Sequence, residues 1–101
     1  MGRGKKVVLD SMIFDNQNQA KEFFKEMLNR YIPGEQVSTA DAIHLGSLFK
    51  RHPEYASKLG SGVDHFEVML AEFGTQCFCI VRTDEIKVDF SYIKCITQKL
   101  D

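Results

Sequence analysis

Apolar residues recur at two different periods along this chain, and the change of period divides it. Ala20, Phe23, Phe24, Met27, Leu28 and Tyr31 follow one another at steps of three and four, the stripe of an amphipathic helix. Asp15 or Asn16 can cap that helix, Asn16 and Gln19 have capping-box spacing, and Pro33 with Gly34 ends it. Ser38 and Asp41 resemble a second capping box, ahead of a helix whose apolar side holds Ile43, Leu45, Leu48 and Phe49. Pro53 and Gly60 bracket a short third helical turn. A brief strand over Lys6 to Leu9, with a turn at Asp10 and Ser11, precedes all of these.

From Phe66 onward the period falls to two. Phe66, Val68 and Leu70 alternate along one strand, residues 77 to 83 form a second, and residues 86 to 90 return as a third. Two-residue turns at Gly74–Thr75 and Asp84–Glu85 set Val68 opposite Val81 and Val81 opposite Val88. Facing residues in an antiparallel pair share a face. The expected inner face therefore holds Phe66, Val68, Leu70, Cys77, Cys79, Val81, Ile86, Val88 and Phe90. The outer face holds His65, Glu67, Met69, Ala71, Phe78, Ile80, Arg82, Lys87, Asp89 and Ser91. After Ser91 the period lengthens again: Tyr92, Cys95, Ile96 and Leu100 fit a short helix with Ser91 as N-cap. The predicted fold is α+β, with helices packed on one face of an antiparallel sheet and a short C-terminal helix, in a single domain over 1–101.

Charge narrows the function classes. Thirteen Lys/Arg stand against fourteen Asp/Glu in 101 residues, a formal net charge of −1. No global field draws such a chain to nucleic acid or to an anionic membrane, so any such contact must be local. No apolar run is long enough to span a bilayer, and no membrane partner is expected. The opening MGRGKK is basic, but no apolar signal segment follows it, and Gly2 lacks the Ser or Thr at position 6 of a myristoylation signal. Three cysteines with no C-x-x-C pair suit a reducing compartment, and a cytoplasmic location is expected.

The stretches AKEFFKEML, STADAIHLGSLFKRHPEYASKLGSGVDHFEV, CFCIVRTDE and DFSYIKCI, in that order, resemble the DCL domain, named for defective chloroplasts and leaves. The match runs from about Phe14 to Ile96. Its most specific pieces are the HP followed by KLGSGV, the CFCIVR strand and DFSYIKC. The resemblance implies a plastid protein needed for ribosomal RNA maturation, a domain appended to a plant RNA polymerase subunit of the DNA-methylation pathway, and stand-alone bacterial members, among which this chain would fall. The family usually has Asp-Gly where Asp84 and Glu85 stand. Glu disfavours the positive φ of a type I′ turn, so this hairpin is expected to be longer or looser than a two-residue one. A plastid transit peptide is absent, so the plant location does not carry over.

Several groups bear on chemistry. Cys77 and Cys79 lie on one strand face, which suits buried thiols better than a zinc site, whose ligands need a sharp turn and a fourth member. No metal and no cofactor is expected. A Cys–His nucleophile would need an orienting group and an activated thiol, and no local signature supports one. His44, His52 and His65 with Asp41, Asp64 and Asp89 lack both H-x-x-x-H and H-E-x-x-H spacing, so packing and capping outweigh acid–base roles. His52, His65 and Asp89 remain a candidate polar site. Lys58-Leu-Gly-Ser-Gly62 sets two glycines beside a lysine and could present backbone N–H groups to a phosphate. With Lys50 and Arg51 it makes a basic stretch whose only acid is Glu54; a solvated loop explains it as well. The outer sheet face interleaves Phe78, Met69 and Ile80 with Arg82 and Lys87, the parts of a single-stranded nucleic-acid platform, though Glu67 and Asp89 weaken its field.

These features favour a non-enzymatic binding module associated with RNA or a ribonucleoprotein, contacting it through Arg82, Lys87, Lys58, Phe78, Lys94, Lys50 and Arg51. The alternative is a protein-interaction module using the outer sheet face. A small hydrolase or nuclease ranks third and would require a cleft joining at least two of His52, His65 and Asp89.

Overall fold

The computed structural model describes residues 6–71 and 74–97. Gly2 and Leu100, noted above, lie outside the described residues. A two-residue hairpin comes first, β1 (Val7–Val8) against β2 (Ile13–Phe14). Three helices follow: α1 (Gln17–Asn29), α2 (Thr39–Phe49) and α3 (Tyr55–Leu59). Then come β3 (Val63–Leu70), β4 (Gln76–Arg82) and β5 (Lys87–Phe90), an antiparallel sheet in the order β3-β4-β5, and finally α4 (Tyr92–Thr97). This is the α+β arrangement that the two periods predict. The partner strand β2 was not legible beforehand, because two residues carry no period.

The caps act as the sequence implies. The Asn16 side chain accepts from the Gln19 amide at 2.9 Å, and that of Ser38 accepts from the Asp41 amide at 3.2 Å, each satisfying an orphan donor of a first helical turn. Ala20, Phe24, Met27 and Leu28 of α1 are buried, as are Leu45, Leu48 and Phe49 of α2. Phe49 meets Phe90 with ring centroids 4.9 Å apart, which seats α2 on the sheet.

The middle strand faces the other way from the expectation. Val68 pairs with Phe78 and Phe66 with Ile80, while Phe78 pairs with Phe90 and Ile80 with Val88. Phe78 and Ile80 are therefore inside and fully buried. Cys77, Cys79 and Val81, expected inside, line the outer face with His65, Glu67, Met69, Lys87 and Asp89. The cause is loop length. The Ala71 amide donates to the Thr75 carbonyl at 2.7 Å, which closes the first hairpin over three residues in place of two, with Gly74 at φ 75°. The Arg82 amide donates to the Ile86 carbonyl at 2.9 Å, and the Glu85 amide to the Arg82 carbonyl at 2.8 Å. The second loop is thus Thr83, Asp84 and Glu85, with Glu85 at φ 73°. These are three-residue hairpins whose last loop residue is left-handed. Each shifts the register by an odd number of residues, and an odd shift reverses the faces of a strand. Leu70 and Ile86, also expected inside, lie at strand ends and are exposed.

Residues 34–37 extend the sheet as a fringe along β3. The Gly34 amide donates to the Val68 carbonyl, Val68 to Glu35, and Val37 to Phe66, at 2.7, 3.0 and 2.9 Å. They cover an edge that would otherwise be unpaired.

Two variants check this register. Phe78→Ala should destabilise by ~3–5 kcal/mol, as truncation of a buried aromatic does. Glu85→Gly should stabilise by up to ~1 kcal/mol by relieving a left-handed backbone that glycine adopts freely. Denaturant melts measure both, and a small effect at Phe78 would contradict the pairing.

Candidate nucleic-acid interface

Among the described residues, four lysine and arginine side chains are held by carboxylates. Lys50 Nζ meets Asp10 at 2.8 Å, Arg82 meets Asp84 at 2.6 Å, Lys87 meets Glu67 at 2.9 Å and Arg30 meets Asp41 at 2.8 Å. Three of them, Lys50, Arg82 and Lys87, were candidate contacts. Arg82 is also displaced from the face assigned to it. It shares the inner side of β4 with Phe78 and Ile80, and its guanidinium fills the space beside Gly60. The loop after α3 is tied to the same hairpin: the Thr83 amide donates to the Gly62 carbonyl at 2.9 Å and the Thr83 hydroxyl to the Ser61 carbonyl at 3.1 Å. The Lys58–Gly62 turn is thus a joint between α3 and the β4–β5 hairpin.

The other three candidate cations are arranged differently. Arg51 donates from Nε to the Cys95 carbonyl at 2.9 Å and from Nη2 to the Ile96 carbonyl at 3.2 Å, closing the C-terminal end of α4. Lys58 Nζ donates to the Asp89 carbonyl at 2.9 Å, at the chain's entry into α4. Lys94 lies on α4 itself, exposed, with its amide capped by Ser91 Oγ at 3.2 Å. The partners of Arg51 and Lys58 are neutral carbonyls, and none of the three forms an ion pair with a carboxylate among the described residues. Together they line α4 from one end to the other, about 9 Å at 1.5 Å per residue.

His52 sits within this corner but is buried, its ring 6.4 Å from that of Phe49. Its Nδ1 accepts from the Glu54 amide at 3.0 Å, a role open only to an unprotonated nitrogen. Burial, and then Lys58, hold its pKa below the ordinary histidine value. His65 stands on the outer sheet face, with Nδ1 2.7 Å from Asp64 and Nε2 2.7 Å from Glu67. Both ring nitrogens face carboxylates, and the hydrogen bonds to Asp64 and then Glu67 raise its pKa. Asp89 is exposed on the same face, across β4 from Glu67. The sheet therefore separates His52 from the other two. Of three shallow surface clefts, His65 lines one, and His52 and Asp89 line none. His44 is taken up by Ser11 Oγ, 2.8 Å from its Nδ1, and by the Phe23 ring.

The thiols are far from reactive. Burial pushes Cys79 up to about 11 and Cys95 up to about 12, and raises Cys77 as well. A nucleophilic cysteine needs the opposite shift. Cys95 is buried in α4 under the helices; Cys77 and Cys79 lie on the outer side of β4, where Cys79 is nonetheless fully buried and Cys77 half-buried. No three His, Cys, Asp or Glu side chains converge as a metal-holding group among the described residues. Nor is any described helix long and apolar enough to cross a membrane.

With the geometry in place, known proteins can be compared. A family model described as "Protein of unknown function (DUF3223)" matches residues 25–96. The chain belongs to the DUF3223 family. A solution NMR structure of an uncharacterized protein from Rhodospirillum rubrum is 46% identical, superposes with a TM-score of 0.84, and covers 94% of this chain and 91% of its own. DNA-directed RNA polymerase V subunit 1 of Arabidopsis thaliana is 37% identical over 73 residues, 69% of this chain and 4% of the subunit. Protein DCL, chloroplastic, of Solanum lycopersicum is 46% identical over 54 residues, 52% of this chain and 24% of that protein. These matches support the DCL-like resemblance. This DUF3223 chain spans a small part of those plant proteins, so what they do as wholes does not transfer with the match.

The His65 network makes a pH signature. A raised histidine pKa contributes stability fully below its ordinary value of 6.5, and the contribution is lost as pH rises through the higher folded value. Glu67, whose pKa is lowered by its bond to His65, contributes above its ordinary 4.5 and loses it as pH falls through the folded value. Denaturant melts should therefore show stability declining as pH rises above the ordinary histidine value of 6.5, a decline that His65→Gln removes.

Proposed function

We propose that this DUF3223 chain is a single, stand-alone domain of bacterial type that works in the cytoplasm as a non-enzymatic RNA- or ribonucleoprotein-associated module. The observation that carries the reading is the strip along α4. Arg51, Lys58 and Lys94 gather there without an ion-paired carboxylate among the described residues, whereas Lys50, Arg82 and Lys87 are paired with acids. A chain of net charge −1 can hold a polyanion only through such a local concentration. The contact thus moves from the outer sheet face to α4, because Phe78 is inside and Arg82 is clamped. The name of one relative, an RNA polymerase subunit, agrees with a nucleic-acid setting. The resemblance to the DCL domain narrows it to ribosomal RNA maturation, and the 91% coverage of the Rhodospirillum rubrum chain supports a domain that stands alone.

A second reading has one observation in its favour. Ile43 is 59% exposed at the lip of a cleft of about 390 Å³ whose lining includes Gly46, Tyr55, Leu59, Val63 and Phe66. An apolar groove of this kind fits a protein contact, and it replaces the outer sheet face, which has lost Phe78 and Ile80 to the core.

Affinity for an unstructured RNA across a salt series tests the first reading. Lys58→Gln and Lys94→Gln should each weaken binding and lower the log–log salt slope by ~0.7, as loss of one phosphate contact does. Lys87→Gln, whose charge Glu67 already balances, should leave the slope unchanged. Absence of binding at low salt would move the assignment to the protein-docking groove.

A further inference from the structure

Among the described residues, the strip along α4 offers charge without an exposed ring on which a base could stack. Recognition of bases in single strands uses either an exposed ring on which a base stacks or a free side-chain fork that grips a base edge. No phenylalanine or tyrosine among the described residues is exposed. Phe49, Phe78 and Phe90 are in the core. Tyr55 is half-buried with its ring 5.1 Å from Phe49, and Tyr92, on α4 itself, is half-buried with its ring set at 78° to Phe78 and 6.1 Å away. The Tyr31 hydroxyl is engaged with the Ser38 amide at 3.0 Å and with Asp41 at 2.7 Å.

The one arginine of the strip is equally committed. Its Nε and Nη2 each donate to an α4 carbonyl, which occupies the side-on edge that would otherwise match a guanine or a carboxylate. What it still presents is positive charge and its Nη1 end, which suit a phosphate oxygen. Lys58 and Lys94 are ammonium groups on flexible stems, which suit a phosphate oxygen and do not discriminate among bases.

We infer that the α4 strip recognises the phosphodiester chain alone, so that its ligand is a backbone of regularly spaced phosphates whose bases face away from the protein. This rests on the RNA-binding reading and specifies its chemistry. It follows that sequence selection, where this protein takes part in any, comes from another member of the assembly.

The test compares two fluorescent oligonucleotides of equal length and equal phosphate number at low salt, one bearing uracil throughout and one abasic throughout. Binding is read by anisotropy for the wild type and for Lys58→Gln and Lys94→Gln, with thermal melts confirming that both variants fold. The abasic strand should bind within about fivefold of the base-bearing strand, since a single stacked base is worth about that factor or more. Each substitution should weaken both strands by the same factor. An abasic strand that binds more weakly than that shows base contact and overturns the inference while leaving the RNA-binding reading standing. If neither strand binds, the RNA-binding reading itself fails and this inference falls with it.

Discussion

The Phe90 ring lies 4.9 Å from Phe49, 6.1 Å from Phe66 and 6.2 Å from Phe78, so one side chain joins all three strands of the sheet to α2. It is also the last residue of β5, and α4 begins two residues later. Where Phe90 is held, the start of α4 is fixed, and with it the carbonyls that Arg51 and Lys58 reach. The segment DFSYIKCI is the end of a strand passing into a short helix. Asp89 supplies a carbonyl for Lys58, Phe90 anchors, Ser91 caps, and Cys95 and Ile96 are buried while their carbonyls accept from Arg51.

The helices and their caps were legible because their determinants are local: a stripe at steps of three and four, and a polar side chain three residues before the amide it caps. The faces of β3 and β5 were legible too, since Phe66, Val68 and Phe90 do point inward and Asp89 does not. The orientation of β4 was not. Two assumed turn lengths agreed with each other, and that agreement was blind to the error. Reversing β4 in both hairpins leaves β3 and β5 on a common face, so the two registers cannot check the strand between them. Composition did not break the tie either, because Cys77, Cys79 and Val81 are as apolar a set as Phe78 and Ile80. The usable signals were bulk, which favours the larger pair for the interior, and Glu85 in place of a glycine. Glu85 pointed to a loop longer than two residues, and its left-handed φ sits at the end of a three-residue loop. Gln76 argued the wrong way, being a polar residue on the inner side; its amide is satisfied by the Leu28 and Tyr31 carbonyls at 2.7 and 2.8 Å, partners more than forty positions distant.

The sorting of cations had no local signal at all. Lys50 and Arg51 are neighbours in sequence, yet one is neutralised by Asp10, forty residues back, and the other is turned onto carbonyls forty-four and forty-five residues ahead. A count of charges over 50–58 describes them as one basic stretch. The fold splits that stretch and joins part of it to Lys94 from a different element.

The contact between Arg82 and Gly60 ties together two positions of unrelated local structure. A methyl group at 60 would lie in the space that the Arg82 guanidinium fills, and that guanidinium is already braced by Asp84, with its Nε buried and unpaired among the described residues. A side chain at 60 would push the guanidinium, the far end of a flexible side chain, away from Asp84, and it would also have to take up a left-handed backbone that residues other than glycine rarely adopt. The glycine at 60 thus lets the loop after α3 lie against the arginine that braces the hairpin.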